Sequence, residues 1–152
     1  MQVRPTEPND IAALQTILDA TGLFPAGMLP GMLSPFLNNE TNEACWLTCE
    51  HNGDAIGFCY AIQEQLTEGT WNMLAIAVLP GKQGSGAGKA MLSALEDRLR
   101  DTGQRILIVD TSSTAGFAQT RKFYRKNGYT EEARIRDFWA PGDDKIIFWK
   151  KL

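Results

Sequence analysis

The chain carries little with which to build a metal site, a disulfide frame or a nucleic-acid surface. Of its 152 residues one is His and three are Cys, and Cys45, Cys49 and Cys59 show no CxxC spacing. An odd set of cysteines inside apolar segments reads as packed free thiols in a reducing, cytoplasmic compartment, and no metal is expected. Lys and Arg never gather into a long run, and the formal net charge is −3, which argues against a basic face for nucleic acid. No apolar run approaches the roughly eighteen residues of a membrane span. Met1 to Pro5 lacks the charged start and apolar stretch of a secretory signal, so none is expected. No repeat, low-complexity tract or polar linker divides residues 1–152, and a single domain is the expectation.

What the chain does have is an ordinary globular composition, 43% hydrophobic and 22% charged, and clear punctuation. Met1 to Arg4 reads as a strand. Asn9 or Asp10 can cap a helix carrying Ile11, Leu14, Ile17 and Leu18 and stopped at Gly22. A Pro- and Gly-rich apolar loop then leads into a short helix near Leu29 to Leu37. Ala44–Glu50 and Ala55–Leu66 read as strands around Asn52-Gly53, a hairpin signal. Trp71–Val78 is a further strand. After Gly88, Met91, Leu92, Leu95 and Leu99 recur with helical spacing up to Gly103. Ile106–Val109 is a short buried strand, Ala118–Lys126 a helix stopped at Gly128, and 130–139 and 145–151 are strands around the turn Pro141-Gly142-Asp143-Asp144. The resulting order, β α α β β β α β α β β, predicts one mixed α/β sheet with helices on both faces. Leu74 to Val109 is its βαβ unit with parallel strands.

The chemistry concentrates between that strand and its helix, in Leu79-Pro80-Gly81-Lys82-Gln83-Gly84-Ser85-Gly86-Ala87-Gly88-Lys89. Alternate glycines at a strand-to-helix junction leave bare amides where the helix dipole favours an anion, a natural seat for a pyrophosphate. A flexible ligand-free connection is the plain alternative. A P-loop reading fails because Lys89 is followed by Ala90 and residue 83 is Gln. A GxGxxG dinucleotide motif fails because its third glycine would fall on Lys89 or Met91.

Gln83-x-x-Gly86-x-Gly88 after an apolar strand resembles the [RQ]-x-x-G-x-[GA] motif of the GNAT N-acetyltransferases. The stretch Arg121 to Tyr129, with Tyr124 and Gly128, is similar to that family's aYxxxGF motif. The resemblance implies a GNAT acyl-CoA acyltransferase fold, with a mostly antiparallel sheet of about seven strands. It also implies an enzyme that moves the acetyl group of acetyl-CoA to a primary amine. Residue by residue, it puts main-chain groups of Ile76, Ala77 and Val78 on the pantetheine arm and acetyl carbonyl. Gln83, Gly84, Ser85, Gly86, Ala87, Gly88 and Lys89 fall on the pyrophosphate, and Tyr124 on the thioester sulfur. The implied partners are a small-molecule or peptide amine; many relatives pair, so a homodimer lies within the resemblance. A non-catalytic acyl-CoA sensor of the same fold is the alternative.

Acetyl transfer needs a neutral amine, a polarised carbonyl and a proton for the leaving thiolate. Tyr124 could give that proton, and a backbone N–H near Val78 could polarise the carbonyl. For the base, some family members use an acid at the place of Asp110. Equally, Asp110 followed by Thr111-Ser112-Ser113 could simply bond nearby backbone; Glu64, Glu68 and a water chain stay open. The acceptor would lie against Leu23 to Leu33 and Trp139 to Asp144, with Phe24, Met28, Met32, Phe138 and Trp139 as an apolar wall or as plain core. Asp143 and Asp144 could attract an ammonium or complete a surface turn.

Overall fold

Apolar segments that alternate with period two or recur every three to four residues become strands and helices in the order expected. The computed structural model describes residues 1–152. Its strands are β1 (Gln2–Pro5), β2 (Ala44–His51), β3 (Asp54–Gln63), β4 (Thr70–Val78), β5 (Ile106–Ser112), β6 (Thr130–Ala140) and β7 (Asp143–Lys151). The helices are α1 (Ile11–Thr21), α2 (Leu29–Leu37), α3 (Ala87–Asp101) and α4 (Ala118–Lys126). The strands form one seven-stranded mixed sheet of order β1-β2-β3-β4-β5-β7-β6. β4 and β5 are parallel, while β1–β2, β2–β3, β5–β7 and β6–β7 are antiparallel. The chain divides into two units, and β4 contributes to both: Thr70–Met73 to one, Leu74–Val78 to the other.

The first unit comprises Met1–Ile62 and Leu74–Arg98. Here α1 turns Leu14, Ile17 and Leu18 inward and stops at Gly22, whose φ of 67° only glycine adopts without strain and whose N–H bonds Leu18 O. These side chains join Leu29 and Leu33 of α2, Trp46 of β2, Phe58 of β3 and Ala75 and Ala77 of β4 in one core. Trp46 stacks on Tyr60 at 4.0 Å between ring centroids. Side chains alternate along a strand, so Leu47, Cys49 and Cys59 lie on the other face, paired in register as Leu47↔Cys59 and Cys49↔Gly57. The three thiols are unpaired. Burial pushes Cys45 up to about 11 and raises Cys59 too, so both stay protonated and inert at neutral pH.

Asp10 stands at the N-cap position of α1, as expected, but its side chain makes no cap bond to that helix. Its carboxylate instead takes both guanidinium nitrogens of Arg4 at 2.8 and 2.9 Å, the Glu7 N–H at 2.8 Å and the Thr48 hydroxyl at 3.2 Å. Burial alone would raise its pKa, but these donors outweigh it and hold the group below the ordinary carboxylate value. The carboxylate thereby closes a capping box with Glu7 on the 3-10 turn that leads into α1, while the Arg4 fork ties it to β1.

One glycine that sequence periodicity does not single out is a packing requirement. A Cβ on Gly57 would fall 2.8 Å from the carbonyl oxygen of Ala77 and 3.0 Å from Cε of Met91 in α3. Gly57→Ala is therefore expected to cost about 1–3 kcal/mol through overpacking. Thermal denaturation should show a midpoint about 3–10 °C lower, and displacement of the Ala77 carbonyl should weaken whatever that strand binds.

The second unit comprises Gln63–Met73 and Leu99–Leu152. The parallel ladder runs from Thr70↔Ile106 to Met73↔Val109. Three boundaries differ from expectation, the first being that β5 runs on to Ser112 rather than ending at Val109. β3 ends at Gln63 rather than Leu66, because Leu66 sits fully exposed at φ 63° in the turn, where Thr67 Oγ1 donates to Glu64 O at 2.8 Å. The β6–β7 turn is only Pro141-Gly142, with Ala140 paired to Asp143. Pro followed by a Gly at φ 79° is the type II pattern, and it leaves Asp143 and Asp144 free to join β7.

Candidate functional site

In the first unit, Pro80–Lys82 forms a 3-10 turn after β4, and Gln83 closes it in an extended conformation. Gln83 Nε2 donates to Val78 O at 3.3 Å, folding the loop back on the strand end. The Ser85 hydroxyl donates to Lys82 O. Gly84 and Gly86 hold φ of 78° and 92°, and no atom lies within 4 Å of where a Cβ would stand on either. Ala90 N–H donates to Gly86 O at 2.9 Å, so Gly86 precedes the first turn of α3. The amides of Ala87, Gly88 and Lys89 then fall in the turn that has no carbonyl partners of its own. Every residue from Gly81 to Gly86 is exposed, while Ala87 is buried and anchors the helix start. Upstream, Ala77 is buried and Ile76 and Val78 are half-buried.

In the second unit, Tyr124 of α4 is 2% exposed. Its ring packs on Phe123, Tyr129 and Phe148 at centroid distances of 5.3, 5.8 and 5.4 Å. Phe148 pairs with Val109, and Asp110 with Ile147. Because neighbours along a strand face opposite sides, α4 covers the Val109 side and Asp110 projects from the other. Tyr124 and Asp110, the two catalytic candidates, thus occupy opposite faces of the sheet.

Asp110 does not bond the backbone of Thr111 to Ser113. Its Oδ2 lies 3.3 Å from Lys145 Nζ and accepts from Asn72 Nδ2 at 3.3 Å. The same Asn72 nitrogen donates to Glu64 Oε1 at 3.0 Å. Two of the acids considered for the base are therefore joined through one amide. Glu68 is exposed, and its main-chain carbonyl accepts from Arg105. Asn72 and Lys145 were not flagged by spacing, since each comes from a strand 35 or more residues away from Asp110.

The candidate acceptor residues separate in the same way. Phe24 and Met32 pack against the core of the first unit and Met28 is exposed. Phe138 and Trp139 are each 48% exposed, and Trp139 Nε1 donates to Thr111 O at 3.2 Å. Asp143 accepts from Ser112 Oγ and the Ser113 N–H. Asp144 accepts from the Asp137 N–H and Arg134, and these two contacts, in that order, hold its pKa below the usual carboxylate range. Asp144 is thus engaged within the β6–β7 hairpin, and Asp143 with the end of β5.

Comparison with known proteins agrees with this architecture. Residues 14–129 match the model of the Acetyltransferase (GNAT) family. An aminoglycoside N(6′)-acetyltransferase of Stenotrophomonas maltophilia is 28% identical over 145 residues, which are 91% of this chain and 92% of that one. A crystal structure from Desulfovibrio desulfuricans, described as an acetyltransferase of the GNAT family, superposes with a TM-score of 0.90 at 29% identity, covering 99% and 98% of the two chains. A structure from Salmonella typhimurium solved with acetyl-CoA as its cofactor shares the fold, with a TM-score of 0.81 at 20% identity over 100% and 94% of the chains.

Proposed function

Because the chain belongs to the GNAT acetyltransferase family, and is thereby an N-acetyltransferase, we propose that its Gln83–Lys89 loop holds the pyrophosphate of acetyl-CoA. Main-chain groups of Ile76, Ala77 and Val78, beyond the last β4–β5 partner pair Met73↔Val109, take the pantetheine arm. The observation that carries this reading is the pair Gly84 and Gly86, both at positive φ with open space where a Cβ would stand, immediately before the first turn of a 15-residue helix. Open amides there can approach an anion closely.

Acetyl-CoA, when bound, supplies the activated thioester. The N–H near Val78 polarises its carbonyl, and the phenol of Tyr124 gives a proton to the departing sulfur. Asp110 takes the proton of the acceptor's ammonium group, with Asn72 fixing the carboxylate's rotamer. Glu64 shares that amide and is the nearest substitute. The acceptor is a small-molecule or peptide amine. Residues 1–152 form one N-acetyltransferase domain, and three unpaired thiols suit a reducing cytoplasm; no helix is long and apolar enough to cross a membrane.

The test is release of coenzyme A thiol from acetyl-CoA across a panel of amines. Asp110→Asn should lower kcat/KM for the amine at least about tenfold at pH 7, with a smaller deficit near pH 9, where more of the amine arrives neutral. An unchanged pH 7 rate would remove Asp110 from the mechanism. Acetyl-CoA binding with no thiol release for any amine would favour the sensor instead.

A further inference from the structure

β6 stands at the end of the sheet, beside β7 alone, so its outer main-chain groups have no strand partner. All eleven of its residues are exposed. Three of them are large and apolar: Ile135 is 44% exposed, and Phe138 and Trp139 are each 48% exposed. Edge strands in native proteins are usually guarded by charge, brevity or bulges. Here Glu132 has no counterpart in β7, and the register slips again between Ile135 and Ala140. Between these bulges runs a regular stretch, Ala133-Arg134-Ile135, paired to Ile147, Ile146 and Lys145.

The charges around that stretch are ordered. Glu131 is held by Arg125 at 3.0 Å and Arg134 by Asp144 at 2.6 Å, so both are neutralised within the chain. Glu132 and Arg136 enter none of the strand's ion pairs. They stand two residues before and two after Arg134, and the apolar Ala133 and Ile135 flank it inside them. A second copy laid antiparallel about a two-fold axis at Arg134 would therefore meet like with like in polarity and opposite in charge. Glu132 falls against the partner's Arg136 and Ala133 against the partner's Ile135, and symmetry repeats each pair. The two Arg134 side chains on the axis each keep their own Asp144. Moving the axis by one residue spoils the match: at Ala133 it sets Glu131 against Ile135, and at Ile135 it sets Arg134 against Arg136. A parallel copy in register would put every charge against its like.

We propose that the β6 edge is the contact surface for a second copy of this chain, docked antiparallel about Arg134. An extended peptide of one sign fits less of the pattern, because it would meet either Glu132 or Arg136 with like charge. Three regular residues and their flanks bury less than a permanent interface needs, so the pairing is weak and reversible.

Sedimentation velocity of the full chain over a range of concentrations tests this. A monomer–dimer equilibrium is expected, with a dissociation constant no weaker than about 100 μM. Arg136→Glu and Glu132→Arg should each weaken it at least tenfold, since each sets like charges together at two places. Carrying both changes in one chain restores opposite charges, and the constant should return to within threefold of the wild type. Ile135→Lys should also weaken the dimer at least tenfold. These side chains are exposed, so the variants should keep the wild-type circular dichroism spectrum. A chain that stays monomeric throughout would overturn the proposal. So would a dimer that neither single charge change weakens, or one that the double exchange fails to restore. Association is read without cofactor or amine, so failure here is distinct from failure of acetyl transfer.

Discussion

Gly86→Glu is expected to abolish acetyl-CoA binding at concentrations that saturate the wild type, a loss of at least ~100-fold. Two effects add. Gly86 holds φ 92°, a conformation that costs an L-residue roughly 1–2 kcal/mol. The new carboxylate would also stand against a di-anionic pyrophosphate, and one pair of like charges at about 4 Å near a protein surface repels by about 4 kcal/mol. Together these exceed the ~2.7 kcal/mol that a 100-fold loss represents. Gly86→Ala carries the backbone strain without the charge, so its loss should be no more than about tenfold. The position is exposed with open space around it, so both variants should melt within a few degrees of the wild type. Calorimetry with acetyl-CoA reads the result; normal affinity in Gly86→Glu would take the loop out of the mechanism.

Tyr124→Phe should leave acetyl-CoA affinity near normal and lower kcat by roughly ten- to a thousandfold. The ring contacts to Phe123, Tyr129 and Phe148 survive this change, so packing is kept and the hydroxyl alone is lost. A buried hydroxyl that is hydrogen-bonded contributes about 1 kcal/mol, which bounds the accompanying fall in melting temperature to a few degrees. Steady-state kinetics with KM and kcat separated distinguishes the two roles. A variant with wild-type kcat would make Tyr124 a packing residue only.

Much of this was legible in the chain itself, and for local reasons. Gly22 ends α1, Asn52-Gly53 joins β2 to β3, and Leu29–Leu37 and Ala118–Lys126 are helices at the expected bounds; each signal lies within a few residues of its effect. The glycine loop was legible for the same reason, since Gln83 to Lys89 are contiguous. Where expectation failed, a distant partner decided. Asp10 does take the N-cap position of α1, but Thr48 and Arg4 share its carboxylate and it makes no side-chain bond to that helix. Asp143 and Asp144 read as turn residues until the two-residue Pro141-Gly142 turn carries them into β7. The Asn72 bridge could not be read at all, because its contacts to Glu64, Asp110 and, through that acid, Lys145 depend on strand register. Gly57 was equally hidden: only the approach of Ala77 and Met91 explains it.

The account turns on the loop amides, and the most direct measurement is a titration of the ¹⁵N-labelled chain with coenzyme A followed by amide resonances. Those of Gly84, Gly86, Gly88 and Lys89 should shift together and saturate along one binding curve. Saturable binding that moves other amides and leaves these four where they were would contradict the assignment of the pyrophosphate to this loop.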